Sequence, residues 1–401
     1  MADHNPIFKY CKVLLIFGGV WTLELNVSPF KKKLYNAYSY FAQYFYFMCL
    51  FLFIIEFSQV LGKDLEATIS NIKSLTFVTT VIAKTVLCQT RQMSKLIRRL
   101  FREEQQIHNI KVGEIRNIYT RHSIYCRNIV YVLIISLYFT GILFLSAASY
   151  DVYSYKKEYN LWILINETVA AGIKKPHPIQ CWFPFDRNKY YSVAITYELY
   201  HITQSLIYNG AAQTLVNSTL IFFRAELQIL QYLVKNFEIN TTGKHLHNFS
   251  EIKLSLKNLT VRYQNIIRWV GDFNDCFQYI LLLEYSVISL MLATILIEIY
   301  QGKQLVINSL FFVLLLTQLF IMSWNANEII EQSSHELLTS LYGSNWYKQN
   351  RNCCIPIYIM MLRCSRPLSI AIGPFGKLTV DAAVSRVKLA YSVLSLMSSR
   401  N

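Results

Sequence analysis

Apolar residues in this chain come in long runs, not in the short alternations of a soluble sheet or the single stripes of a surface helix. Six runs are laid out as Ala37–Leu61, Thr68–Cys88, Asn128–Tyr150, Ser192–Phe223, Phe277–Tyr300 and Leu305–Ile329, and a seventh follows Ile355. Stretches such as Tyr279–Tyr300 and Leu305–Trp324 reach the ~20 residues that cross ~30 Å of hydrocarbon, with at most two charges each. The pattern predicts an all-α polytopic membrane protein with seven transmembrane helices. The second run is weakened by Lys73 and Lys84. The last is broken into two parts, because IPIYIMMLRC stops ahead of Pro367 and of the stretch from Gly373 to Gly376. Composition agrees: 53% of residues are hydrophobic and only 16% charged, against roughly a quarter charged in soluble domains.

The formal charge of +15 raises nucleic acid as a partner, but the basic residues lie between the apolar runs. They do not form a stripe interleaved with aromatics, so no nucleic-acid role is expected. With the N-terminus inside, 25 of the 39 Lys and Arg fall in cytoplasmic segments and 9 outside. That bias predicts an inside N-terminus and, with seven spans, an outside C-terminus. The chain then divides into a cytoplasmic N-terminal segment (1–36), spans one to four (37–223), a cytoplasmic helical extension (224–276), spans five and six (277–332), cytoplasmic anchor helices (333–375), and the last helix with the extracellular terminus (376–401). Asn166 heads a sequon outside and is the expected glycosylation site, whereas the sequons at Asn240, Asn248 and Asn258 fall inside. The nine cysteines have no metal-type spacing, and only Cys181 falls in an outside loop.

Two segments carry further patterns. In the extension, Leu227, Leu230, Leu233, Val234 and Phe237 share one helical face, as do Leu256, Leu259, Tyr263, Ile266 and Ile267. These stripes need a partner, either one another or a neighbouring subunit. The stretch GPFGKLTVDAAVSRVKLAYSVLSLMSS is of membrane length yet carries Lys377, Asp381, Arg386 and Lys388. A charge deep in a span costs ~2.5–3.5 kcal/mol on insertion scales, so this helix is expected to face water or protein. Lys377 and Asp381 stand four apart and could pair on a helix. Ser385, Leu389, Ser392, Leu396 and Ser399 give a face of hydroxyls and leucines, suited either to a conduit gated by dewetting or to packing against neighbouring helices.

Three local patterns carry a resemblance: CWFPFD at Cys181–Asp186, NEIIEQSSHELLTSLYGSNWY at 327–347, and RPLSIAIGPFGKLTV…VKLAYS from Arg366 to Ser392. Together they resemble the insect odorant receptors, seven-span ligand-gated cation channels of reversed topology. The last span departs in having Gly-Pro-Phe-Gly where Gly-Lys-Phe is more usual, and Val393-Leu394 after Tyr391-Ser392. The long insertion between spans four and five that marks the family's co-receptor is absent. The resemblance therefore implies a ligand-tuning subunit in a heterotetramer with the odorant co-receptor, in the plasma membrane of olfactory sensory neuron dendrites. It would conduct cations, contact membrane lipid, and open to a small volatile organic ligand. Its implied pore residues are Ser385, Leu389, Ser392, Leu396 and Ser399, with Leu396 nearest the gate. Its implied ligand residues are Phe77, Thr80, Tyr138, Gly141, Leu145, Ser149, Tyr197, His201, Phe311 and Leu315, with Tyr197 and His201 as the orienting polar pair or as ordinary bundle packing.

Rival classes fit less well. A G-protein-coupled receptor needs an outside N-terminus and glycans on the sequons at 240, 248 or 258. A gustatory relative tends to end on a Thr-Tyr…Gln-Phe pattern, which is missing. A secondary transporter needs paired interrupted helices. No catalytic constellation is present, no cofactor or metal is expected, and His245 with His247 is a weak metal signal without nearby cysteine or carboxylate.

Overall fold

The computed structural model describes residues 6–21, 28–63, 65–108, 112–165, 175–238, 248–302 and 304–398. In chain order the helices are α1 (Lys9–Phe17), α2 (Pro29–Val60), α3 (Leu65–Cys88), α4 (Arg91–His108), α5 (Gly113–Ile165), α6 (Tyr191–Lys235), α7 (Phe249–Tyr300) and α8 (Leu305–Glu331). A π turn (Gln332–Glu336) joins α8 to α9 (Leu337–Tyr342), and α10 (Arg351–Cys364) and α11 (Val380–Ser398) follow. The all-α expectation is borne out, with the last span split between α10 and α11. Asn166, Asn240, His245, His247 and Ser399 lie outside the described residues.

Among the described residues, α2, α5, α7 and the α8–α9 helix are long and apolar enough to cross a membrane. Their outward faces are apolar too. Only 22% of the apolar window of α2 or α5 is buried, against 61% for α7. Phe41, Phe51 and Ile54 on α2, and Ile135, Phe139 and Ile142 on α5, are exposed. That is the arrangement of a protein whose outer solvent is lipid. Many of the buried polar groups lie on one central helix. Every residue of α6 from Ile207 to Leu227 is buried, including Asn209, Gln213, Asn217, Arg224 and Glu226. A helix this polar is tolerated at the centre because neighbouring helices satisfy it.

The charges that weaken the second run find partners on α7. Lys84 of α3 is ion-paired with Glu284 of α7, each side chain 5% exposed. Gln213 of α6 donates to the same carboxylate at 2.6 Å, and Lys84 reaches Asn209 Oδ1 at 3.4 Å. Nearer the start of α3, Lys73 Nζ lies 2.9 Å from both carboxylate oxygens of Glu298. Two ion pairs thus fix the antiparallel register of α3 against α7. Asn274 and Gln278 of α7 hold the break in the last span. The Asn274 amide donates to the Ser369 carbonyl at 2.9 Å and accepts from Ala371 N–H at 3.0 Å, and Gly373 N–H donates to the Gln278 carbonyl at 2.9 Å. The chain reverses there as a short hairpin, with Ile372 and Leu378 N–H bonded to the Gly376 and Ile370 carbonyls at 2.8 Å. Gly373 has φ +55°, and a Cβ there would meet Leu282 at 2.9 Å, so a side chain is excluded twice over. Lys377 belongs to this hairpin, bridged to Ala371, and α11 begins only at Val380. The helical pairing open to Lys377 and Asp381 by spacing is therefore corrected: the two residues do not share a helix.

Both extension stripes are covered within the chain. Leu227, Leu230, Val234 and Phe237 join Leu256, Leu259, Tyr263 and Ile266 in one buried core, tied by Arg262 to Glu226 at 2.8 Å and by Ser255 Oγ to the Phe237 carbonyl at 3.1 Å. Beside them Arg224 stands over the Tyr125 ring, 5.1 Å from its centroid, and donates to Asn325 at 2.8 Å and Glu328 at 3.2 Å. His122, six residues before the expected third span, faces Gln228 at 2.8 Å. Burial pushes its imidazole down to about 4, with Arg224 and Arg121 adding to the effect and the Gln228 bond opposing it.

Two outcomes are expected. Lys84→Met should lower the unfolding midpoint of the purified protein sharply, about 3–5 kcal/mol for a buried charge left alone. Pairing it with Glu284→Leu should recover most of that loss. His122 is held below its unfolded value of ~6.5, so the unfolded chain takes up the proton first. Stability should fall as pH drops from 6.5 towards 4, by roughly 1.4 kcal/mol per pH unit, and His122→Gln should flatten that fall in pH-dependent thermal unfolding.

Candidate functional site

Between α3, α5, α6 and α8 lies a cavity of ≈ 210 Å³. Each helix offers one face at three-to-four spacing: Ser74, Phe77 and Val78 from α3, and Leu137, Thr140, Gly141 and Phe144 from α5. The others are His201, Ser205 and Asn209 from α6, and Ile307, Asn308, Phe311, Leu314, Leu315 and Gln318 from α8. Phe53 of α2 and Met291 of α7 complete the wall, and Pro178 and Ile179 of the 175–190 loop cover one end. Glu198 pins that cover. Its carboxylate pairs with His177 Nδ1 at 2.9 Å and accepts from Ile179 N–H at 3.4 Å. Trp182 N–H donates to the Leu52 carbonyl at 3.4 Å, and Asn71 donates to the Gln180 carbonyl at 3.2 Å. The CWFPFD stretch is thus a plug, with Cys181 and Phe183 buried against Cys49, Phe53, Val78 and Ala194.

Half of the expected ligand residues meet here: Phe77, Gly141, His201, Phe311 and Leu315 all line the cavity. The other five lie outside its lining. Thr80 is buried with its hydroxyl on the Thr76 carbonyl at 2.9 Å. Tyr138 is half-buried and one position off the α5 face, Leu145 is half-buried, and exposed Ser149 bonds the Leu145 carbonyl at 2.8 Å. Tyr197 donates to the Phe45 carbonyl at 3.0 Å and packs edge-on against Phe183, with centroids 5.9 Å apart. His201 is stacked on Tyr46 at 4.8 Å. Sequence reasoning missed Lys73, Asn209 and Gln318. The signal for the last two was an amide within a membrane span, where a polar side chain is costly without a partner, but each shares its span with other amides and none stands out by sequence.

The last helix is the second functional element. α11 packs on α7 and α8, burying Ala383 and Ala390. Ser385, Leu389, Ser392 and Leu396 are all exposed, Leu396 at 69%. Ser385 and Ser392 donate their hydroxyls to the Asp381 and Lys388 carbonyls at 2.8 and 2.9 Å. Each oxygen therefore keeps its capacity to accept a hydrogen bond. From Tyr391 to Leu396 only Leu394 is half-buried and the rest are exposed, so this chain by itself covers little of that segment.

Residues 64–391 match the family described as "7tm Odorant receptor". Odorant receptor 10 of Aedes albopictus is 25% identical over 183 residues, covering 45% of this chain and 48% of that protein. Odorant receptor Or2 of Anopheles gambiae is 28% identical over 153 residues, covering 37% and 39%. The chain thus spans about half the length, or less, of these curated relatives. Its fold matches the insect olfactory receptor OR5 of Machilis hrabei, solved alone and in complex with eugenol. Each has a TM-score of 0.77 at 15% identity, with 98% of both chains covered.

An engineered cavity of about 150 Å³ takes benzene, so this one has room for a ring and a short substituent. Leu315→Trp should fill it and abolish binding of a benzene-sized probe in calorimetry, while the unfolding midpoint moves by a few degrees at most.

Proposed function

The chain belongs to the 7tm odorant receptor family, and from that premise we propose that it is the ligand-tuning subunit of a heteromeric odorant-gated cation channel. It is a multi-pass membrane protein. Within the proposal it sits in the plasma membrane of olfactory sensory neuron dendrites with its N-terminus inside, and assembles with the odorant co-receptor as a heterotetramer.

One observation carries the reading: the cavity and the exposed face of α11 are built on the same helices. α7 and α8 each contribute to the cavity wall, and both carry α11. A small volatile in the cavity would act by binding the open arrangement better than the closed one. A bound ligand that shifts α7 and α8 moves α11 with them. The apolar, aromatic-rich wall suits such a ligand, and the OR5 structure with eugenol supports the idea that a small aromatic compound can be held in this fold. In the assembly Ser385, Ser392 and Ser399 would line the conduction path, and Leu396 and Leu389 would close it by dewetting.

Whole-cell recording tests this directly. Cells expressing this chain and the co-receptor should give a fast cation current to small volatile aromatics with G-protein signalling blocked, and neither chain alone should respond. Leu396→Ser should raise the ligand-independent current several-fold. A response that vanishes with the G-protein block would sink the channel reading in favour of a coupled receptor.

A further inference from the structure

The polar groups of the cavity wall sort by whether they are already bonded. Thr140 donates to the Ser136 carbonyl at 2.8 Å, Ser74 to the Ser70 carbonyl at 3.2 Å, and Ser205 shares a hydrogen bond with Tyr46 at 3.0 Å. Both nitrogens of His201 are unbonded but sealed away, without accessible surface. Two amides differ from all of these. Asn209 is half-used: its Oδ1 accepts from Lys84, and among the described residues nothing accepts from its amide N–H. Gln318 is 5% exposed, lines the cavity, and makes no side-chain hydrogen bond among the described residues. Neither amide nitrogen is among the sealed polar atoms. Both residues line the cavity, which puts their amides within reach of a molecule held there.

Charge narrows the ligand further. Of the described lining residues only Lys73 and His201 are ionisable. Lys73 is held bidentate by Glu298, 2.9 Å from each oxygen, so its cation is cancelled inside the wall. A carboxylate ligand would find Lys73 already paired with Glu298 and would lose its own hydration on entry.

We propose that the cavity is specific for an uncharged ligand of about eight to ten non-hydrogen atoms bearing one hydrogen-bond acceptor, a ketone, ether or ester oxygen, received by the amides of Asn209 and Gln318. The assignment rests on the cavity being the ligand site. Water can serve an open amide, but a hydrocarbon that displaces the water leaves that amide unpaired, at the cost of a buried polar group. An oxygenated ligand of the same shape restores the bond. The pocket therefore discriminates by what happens to its own amides, and the Lys73–Glu298 pair turns acids away.

The test uses the full chain in lipid nanodiscs with three probes and calorimetric Kd values. The probes are acetophenone, α-methylstyrene (the same shape with the carbonyl oxygen replaced by methylene) and benzoate. Acetophenone should bind about tenfold more tightly than α-methylstyrene, as one neutral hydrogen bond provides. Gln318→Leu, which breaks no bond in the fold, should erase most of that ratio by tightening α-methylstyrene, whose retained binding also certifies a folded pocket. Glu298→Gln should free Lys73 and let benzoate bind where the wild type does not. Equal binding of the two neutral probes to the wild type, a ratio untouched by Gln318→Leu, or no binding of either would overturn the assignment. So would benzoate binding the wild type as tightly as acetophenone does. Leu315→Trp separates the two levels. If acetophenone binding survives it, the cavity is not the ligand site and the functional reading itself fails. If filling abolishes binding but the ratio persists in Gln318→Leu, only the amide assignment falls.

Discussion

The contact on which the rest of this structure depends is the buried ion pair between Lys84 of α3 and Glu284 of α7. Neither charge could enter a membrane interior alone without a penalty of several kcal/mol. Together, and with Gln213 and Asn209 completing the hydrogen bonding, they can. The pair thereby does what apolar contacts in lipid cannot, since leucine against leucine is no better than leucine against an acyl chain. It selects one neighbour and one register. Lys73 with Glu298 repeats the device eleven residues earlier on α3, about 16 Å away at 1.5 Å per residue. With two charged contacts spaced along α3 and α7, the helices cannot slide without breaking both. The cavity occupies the interval, with Lys73 in its wall and Asn209, the neighbour of Lys84, also lining it.

This explains what was legible in the sequence and what was not. The apolar runs located every membrane-length helix, because lipid exposure imposes hydrophobicity that needs no tertiary information. Their ends were partly visible. The amphipathic stripes already carried α6 and α7 past the apolar stretch as helix, and α7 runs unbroken for 52 residues, whereas no such stripe had marked the full length of α5. Lys73 and Lys84 read as defects in a weak span, and Glu284 and Glu298 had no assigned role. Each was half of a pair whose other half lies more than 190 residues away, and hydropathy cannot match halves. The cavity was half legible for a related reason. The family resemblance pointed to Phe77 and Phe311, which line the cavity, but which side of α5 or α6 turns inward depends on helix rotation, so Tyr138, Leu145 and Tyr197 fell beside the wall. Gly373 and Gly376 correctly marked a break. That the break is a hairpin clipped to Asn274 and Gln278, with Lys377 on it, required the partner helix.

The same geometry constrains how a ligand could act on the last helix. Helix α7 holds the hairpin that leads into α11 through Asn274 and Gln278, carries Glu284 in the buried pair, and reaches the cavity at Met291. These positions span seventeen residues of one continuous helix, about 25 Å. A straight helix transmits a tilt or a rotation, but it does not stretch. A ligand that wedges at Met291 can therefore move the hairpin only by pivoting α7 about its fixed contacts, and the buried ion pair lies between the two ends. Were that pair a soft apolar contact, displacement at the cavity would dissipate as a local slide of α7 past α3. Because it is charged, buried and bonded on three sides, it resists sliding and leaves rotation as the cheaper response. Coupling between sites requires an element with two discrete arrangements whose balance both sites bias. α7, held to α3 at Glu284 and Glu298 and to the hairpin at Asn274 and Gln278, is the element on which both sites would have to act.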